Sequence, residues 1–431
     1  MKYLPLIISV IWLSACSTQQ RIANTIQPER DTALSNAFTG ICIYDEAAGK
    51  MIVQQNAGKQ FIPASNMKLF TSYASMKYLP DSLPGWFIHE SRDSLYLQPN
   101  GDPSFLHPSF EKQKVLDLLK TNRKPVVLVL PPTQFTPRGF GWAWNNFQEF
   151  YMPERSAMPI YGNVVRFRKE GNTVQAIPAY FQPMLTVNEL KGKAVNVRRE
   201  EDGNGFTANG STVNYLMRPF TQKESPDFVY TLLADTLSKL GIPNPILRKS
   251  ATGIDFKPFY TQHTDSVLQF MMLHSDNFFA EQLLLLAGKQ ITGKLADRLA
   301  IDSLMKSDHK DLPDHPRWVD GSGLSRNNLV SPRAFVTLLN KMKKEFGWER
   351  VAAILVNGGE GGTLKDYYSD YPENIFAKTG TLNGQAALSG FLITKKGKMY
   401  TFSFLVNNHQ APAGAVKSAV KNILTPIIDH Y

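Results

Sequence analysis

Little in this chain of 431 residues points to metal, redox or nucleic-acid chemistry. Its two cysteines, Cys16 and Cys42, form no Cys-x-x-Cys, and its eight histidines include no His-Glu-x-x-His, so the spacings that hold zinc are missing and no metal or cofactor is expected. No Gly-x-Ser-x-Gly occurs, which argues against the nucleophile elbow of an α/β-hydrolase. The glycine-rich Asn357-Gly358-Gly359-Glu360-Gly361-Gly362-Thr363 lacks the Gly-Lys-[Ser/Thr] ending of a phosphate loop and reads as a turn or a site-edge loop. The formal charge of +10 favours an anionic polymer as partner. Lysine and arginine are scattered, however, with no basic block and no recognisable nucleic-acid module, so nucleic acid is not expected. Low-complexity segments and internal repeats are absent too.

What is present is enough apolar material, 43% of the residues, to bury two or three cores. Lys2 followed by the apolar run Leu4 to Leu13 predicts a secretory signal over residues 1–15, because the run is too short to cross a bilayer as a permanent helix. Leu13-Ser14-Ala15-Cys16 resembles the lipobox of bacterial lipoproteins, which implies cleavage before Cys16, a diacylglycerol on its sulfur and a polar tether over 16–36. Acylated Cys16 leaves Cys42 no disulfide partner. In the alternating Gly40-Ile41-Cys42-Ile43-Tyr44, Cys42 is then a small core residue.

Alternation over Thr39 to Tyr44 and Met51 to Gln55 predicts a hairpin, and helical spacing of Met67, Leu69, Phe70, Tyr73, Ala74 and Met76 predicts a buried helix from Ser65 to Tyr78. From Trp86 to about Asp255 the texture changes to short β-like runs and turns, with one clear helix from Asp227 to Lys239 closed by Gly241. That block reads as an insertion. Helices then follow over Thr264 to Met272, Phe278 to Ala287 and Ser331 to Lys344, the last with Ser331 as N-cap and Pro332 in its first turn. Strands at Asn374 to Thr381, Ala386 to Thr394 and Met399 to Asn407, and a helix from Val416 to His430, complete an antiparallel sheet covered by helices.

Within Pro63-Ala64-Ser65-Asn66-Met67-Lys68, a hydroxyl and an amine three residues apart lie on one helix face, where a neutral amine takes the hydroxyl proton and leaves a nucleophile. Ser-x-x-Lys also starts at Ser109, Ser303, Ser307 and Ser418, so context has to choose among the copies. The first copy is followed by Ser275-Asp276-Asn277, a polar break between apolar helical runs, and by Lys378-Thr379-Gly380 on a predicted strand. These three motifs in this order are those of penicillin-binding proteins and class A β-lactamases. A free lysine, with a pKa of about 10.4, is charged at neutral pH. Lys68 therefore has to be buried, near a second positive charge such as Lys378, to serve as base. Lys378 and Thr379 suit a substrate carboxylate, Gly380 lets the strand backbone come close, and the N–H groups of Ser65 and Thr381 suit an oxyanion. Ser275 is placed to relay a proton to the leaving amine, and Asn277 to bond the acyl side.

With Gly101-Asp102-Pro103-Ser104, Phe140-Gly141-Trp142-Ala143-Trp144-Asn145-Asn146, Ser275 to Leu283, Asp320-Gly321-Ser322-Gly323-Leu324-Ser325 and Gly361-Gly362-Thr363-Leu364, the chain resembles the class C low-molecular-mass penicillin-binding proteins, the D-alanyl-D-alanine carboxypeptidase and endopeptidase family. Ser275 follows Ser65 by 210 residues, which is similar to that family's large insertion. The resemblance implies an α+β fold: a penicillin-binding/β-lactamase-like domain with a five-stranded antiparallel sheet, carrying one or two small β-rich inserted domains. It assigns 37–92 with 262–431 to the catalytic domain and 93–261 to the insertion, divided into 93–166 with 215–261, and 167–214. It further implies a serine peptidase acting on peptidoglycan stem peptides, β-lactams as covalent inhibitors, and a lipoprotein of the bacterial cell envelope, facing the periplasm or on the outer membrane. Asn145-Asn146 stand where the family often has acidic residues. Two other readings stay open: a peptidoglycan-binding lipoprotein without turnover, and a β-lactamase or esterase on the same scaffold.

Overall fold

A computed structural model describes residues 19–188, 194–211, 215–223, 227–242, 246–248, 253–359 and 361–431. The signal and Cys16 lie outside the described residues. The chain forms two compact units: Met1–Tyr73 with Leu268–Asp276 and Leu304–Tyr431, and Ala74–Val267 with Asn277–Ser303.

The first unit is built on an antiparallel sheet in the order Val356–Asn357, Ile375–Leu382, Gln385–Ile393, Met399–Asn407, Phe38–Asp45, Lys50–Gln55. The three C-terminal strands form the expected meander, and pairing of Phe38 with Asn407 through to Asp45 with Tyr400 joins it to the N-terminal hairpin. The sequence predicts five strands. The sixth is the two-residue Val356–Asn357, too short to carry an alternating pattern. Side chains on a strand alternate between faces, and residues directly opposite share one. Lys378, Ser389, Ser403 and Cys42 are successive partners across four strands and so lie in one row on one face. Val336 of the helix Pro332–Phe346 packs on Cys42 and fixes that face as the inner one. Ser331 caps this helix, its hydroxyl accepting from Ala334 N at 3.0 Å, and such a cap contributes about 1 kcal/mol. Leu388 and Phe404 point the other way and line a cavity together with Val420 of the C-terminal helix Ala413–His430.

The second unit holds three sheets. One is five-stranded, in the order Ile246–Arg248, Val126–Leu128, Leu95–Pro99, Trp86–Glu90, Lys257–Phe259, and the other two have three strands each. One apolar core runs through the unit and includes Trp86, Phe105, Phe167, Phe181, Phe206, Phe220 and Phe228. The helix Asn277–Thr292 belongs here, and its residues Phe278 to Gly288 are all buried, the polar Glu281 and Gln282 among them being held by Arg155 and by backbone groups. Among the described residues no helix is long and apolar enough to cross a membrane.

Candidate active site

Ser65 does not open an α-helix as its spacing predicts. It sits in a 3-10 turn, Ala64–Met67, and the α-helix begins at Lys68. Two close approaches of glycine backbone hold this turn. A Cβ at Gly380 would fall 2.7 Å from Pro63 O and 3.1 Å from Ser65 N. One at Gly323, whose φ is +84°, would fall 1.9 Å from Ala64 O. Ala64 itself has φ +47°, a left-handed conformation that costs a residue with a Cβ about 1–2 kcal/mol and persists only when its surroundings enforce it.

Lys68 is fully buried and Ser65 half-buried. Lys68 Nζ lies 3.0 Å from Ser65 Oγ and donates to Ser322 O at 2.8 Å. One turn further along, Thr71 Oγ1 donates to Gly321 O at 2.7 Å. Both carbonyls come from Asp320-Gly321-Ser322-Gly323, a stretch that composition alone reads as an ordinary turn. The fully buried Asp320 carboxylate ties the stretch down by accepting from Gly323 N at 2.8 Å, Ser325 N at 2.7 Å and Asn328 Nδ2 at 2.7 Å. In the sequence this stretch is marked only by the family resemblance and by the tendency of aspartate to bond the N–H groups of its own loop. Asn66, also fully buried, anchors the turn from below: its Nδ2 donates to Ser389 Oγ at 2.7 Å, which donates to Ser403 Oγ at 2.8 Å.

Lys378 sits on the strand beside this turn and is fully buried, its Nζ donating to Thr379 O at 2.9 Å. Burial, then the like charge of Lys68, then that of Lys417, hold its ammonium well below the usual lysine range. Ser65, Lys68 and Lys378 are thus brought together in the first unit. Thr379 is buried and its Oγ1 donates to Thr363 Oγ1 at 2.6 Å, whereas the Thr381 side chain is exposed. Ser275 follows the helix Thr264–His274, half-buried and with φ +53°. Asn277 opens the buried helix of the second unit, where its Nδ2 donates to Tyr151 O at 2.9 Å. Among the described residues no group of three His, Cys, Asp or Glu side chains is placed to hold a metal ion.

A hydroxyl within bonding distance of a buried amine, with a second buried amine alongside, is equipped for nucleophilic attack on an acyl group. Comparison with known proteins agrees. The model of the D-Ala-D-Ala carboxypeptidase 3 (S13) family matches residues 19–426. The chain is 23% identical over 325 residues to the D-alanyl-D-alanine carboxypeptidase DacB of Haemophilus influenzae, covering 68% of this chain and 67% of that protein. It is 36% identical over 119 residues to a D-alanyl-D-alanine carboxypeptidase of an Actinomadura species, 26% of this chain and 22% of that one. In fold it is similar to penicillin binding protein 4 of Haemophilus influenzae, with a TM-score of 0.74 at 20% identity over 96% of this chain and 99% of that one. It is also similar to a predatory endopeptidase of Bdellovibrio bacteriovorus, with a TM-score of 0.54 at 15% identity over 91% and 94%. The chain belongs to the D-Ala-D-Ala carboxypeptidase 3 (S13) family and is a serine-type D,D-peptidase.

Proposed function

We propose that this peptidase works on peptidoglycan stem peptides through an acyl-enzyme on Ser65, and that β-lactams acylate the same oxygen. Neutral Lys68 directs one N–H to Ser322 O and its lone pair to the Ser65 hydroxyl. It takes that proton as Ser65 Oγ bonds to the carbonyl carbon of the penultimate D-alanine. The tetrahedral oxyanion is held by the N–H groups of Ser65 and Thr381, and it collapses as the leaving amine receives a proton by way of Ser275. Asn277 holds the acyl side, Lys378, Thr379 and Gly380 form the wall that faces the leaving residue, and water completes the hydrolysis. The observation that carries this reading is the 3.0 Å approach of a fully buried lysine to Ser65 Oγ.

In domain terms the proposal keeps 37–92 with 262–431 as the catalytic part and 93–261 as the insertion. The apolar run Leu4 to Leu13 and the lipobox-like Leu13 to Cys16 support export, acylation of Cys16 and residence on the periplasmic side of the envelope or on the outer membrane. Mass spectrometry after exposure to penicillin tests the chemistry. A long-lived adduct on Ser65, absent from Ser65→Ala, is the expected result. No adduct at all would leave a binding protein, and rapid loss of the adduct would indicate a β-lactamase. Purified cross-linked muropeptides then separate release of D-alanine from cleavage of dimers.

A further inference from the structure

The composition of 16–36 predicts a polar tether, yet the part of it that the structure describes is folded onto the first unit. Residues 19–25 are helical, Pro28–Arg30 forms a 3-10 turn, and Ile22, Ile26 and Leu34 are buried. Three aliphatic side chains among so many polar ones are too sparse for a pattern to announce them.

Polar groups fasten the segment along its length. Gln20 Nε2 donates to Asn24 Oδ1 at 3.2 Å, Thr25 Oγ1 to Arg21 O at 2.9 Å and Gln27 Nε2 to Asn24 O at 2.8 Å, while Asp31 Oδ1 accepts from Ala33 N at 2.8 Å. Pro28–Arg30 lies against the C-terminal helix Ala413–His430, which packs on the outer face of the sheet. The Ser65 turn is bonded from the inner face, through Asn66 and Ser389. The segment therefore belongs to the side of the sheet away from the nucleophile.

Chain length decides what this means for an anchor at Cys16. Cys16 precedes Gln19 by three residues, which span at most about 10 Å when fully extended. A free tether of about 20 residues would reach about 70 Å at full stretch and average about 25 Å as a coil.

We propose that the lipid on Cys16 seats the first unit directly on the bilayer, with the exposed Gln20, Arg21 and Asn24 turned towards the polar headgroups. The inference rests on the acylation reading and adds to it a contact surface and a working distance. Gln20 and Asn24 stand one helical turn apart on one side of 19–25, and Arg21 beside them supplies a cation suited to lipid phosphate. Ile22 and Ile26 fall about 200° round the helix and face the protein. A protein held in this way meets the peptidoglycan next to its own membrane and does not range through the wall.

The test uses the lipidated full chain in vesicles of phosphatidylethanolamine and phosphatidylglycerol that carry an energy-transfer acceptor on the headgroup, with the donor dye on Arg30→Cys. Cys16 is then acylated and Cys42 buried, so the introduced thiol takes the dye. Transfer should be strong at the native spacing. It should fall about twofold or more when about 20 glycine and serine residues, which add about 25 Å, are inserted between Thr18 and Gln19. In the vesicle-bound protein the amides of Ile22, Ile26 and Leu34 should exchange far more slowly than those of an unfolded chain. Transfer as weak at the native spacing as with the insertion, or exchange at the unfolded rate, overturns the seated anchor. Protein recovered from membranes with no lipid on Cys16 overturns the acylation reading and this inference with it, and leaves the peptidase reading untouched.

Discussion

The two units bury positive charge in opposite ways. In the second, Arg155 is 3% exposed and its Nη1 donates to Glu281 at 3.2 Å and to Asp297 at 2.6 Å, while Nε and Nη2 reach Thr136 O at 3.1 and 2.8 Å. In the first, Lys378 is fully buried, with the Thr379 carbonyl as its bonded partner among the described residues and a second buried lysine nearby. A buried cation costs several kcal/mol of lost hydration, and carboxylates repay much of that only where the geometry is good. Arg155 is neutralised and fixes a fold. Lys378 is left beside another amine, and burial and that like charge hold its ammonium well below the usual lysine range, an arrangement that clusters at functional sites.

The sharpest way to break this contrast is Lys68→Met. If Lys68 is a base, acylation of Ser65 by penicillin falls by about 10²–10⁴-fold while the melting temperature holds or rises, because methionine fills the space without a charge to desolvate. A large loss of stability with an unchanged acylation rate would make Lys68 a structural cation like Arg155. Next in size, Arg155→Met leaves Glu281 and Asp297 uncompensated and should cost about 3–5 kcal/mol in urea denaturation, with acylation per folded molecule unchanged. Adding Glu281→Gln to that variant should recover part of the loss, and no recovery would argue against the pairing.

The smallest effect concerns Cys42, buried on the same sheet face as Lys378 but outside the chemistry. Burial pushes its thiol from an ordinary 9.0 up to about 12. An acid whose folded pKa is raised contributes stability that is fully present below about 9 and is lost as pH climbs towards 12, because only the unfolded chain ionises in that window. Cys42→Ala should flatten that decline, and a folded-state thiol that alkylates quickly at pH 8 would contradict its burial.

Much of the first unit was legible because its signals are local. The hairpin, the meander and the Ser331 cap each rest on neighbours in sequence, and Ser65 and Lys68 needed only three residues of spacing. The 3-10 turn at Ser65 was not legible, because Gly323 and Gly380 impose it from more than 250 positions away. The Asp320 loop stands out in the sequence only through the family resemblance, for the same reason: it matters physically only once Ser322 O meets Lys68. The second unit was harder still. Val126–Leu128 lies parallel to both Leu95–Pro99 and Ile246–Arg248, and such distant pairing leaves no mark on three-residue strands. Short helices at Lys114–Thr121, Asp297–Lys306 and Trp348–Ile354 have few apolar turns to announce them in the sequence.

Gly323 and Gly380 press on the Ser65 turn from two sides, closer than any side chain allows. If β-lactams acylate Ser65 as proposed, a lineage under attack from them has no room to build a protective bulge at either position. Adaptation there is blocked by geometry, and resistance has to arise from residues farther out along the cleft walls or from keeping the drug away altogether.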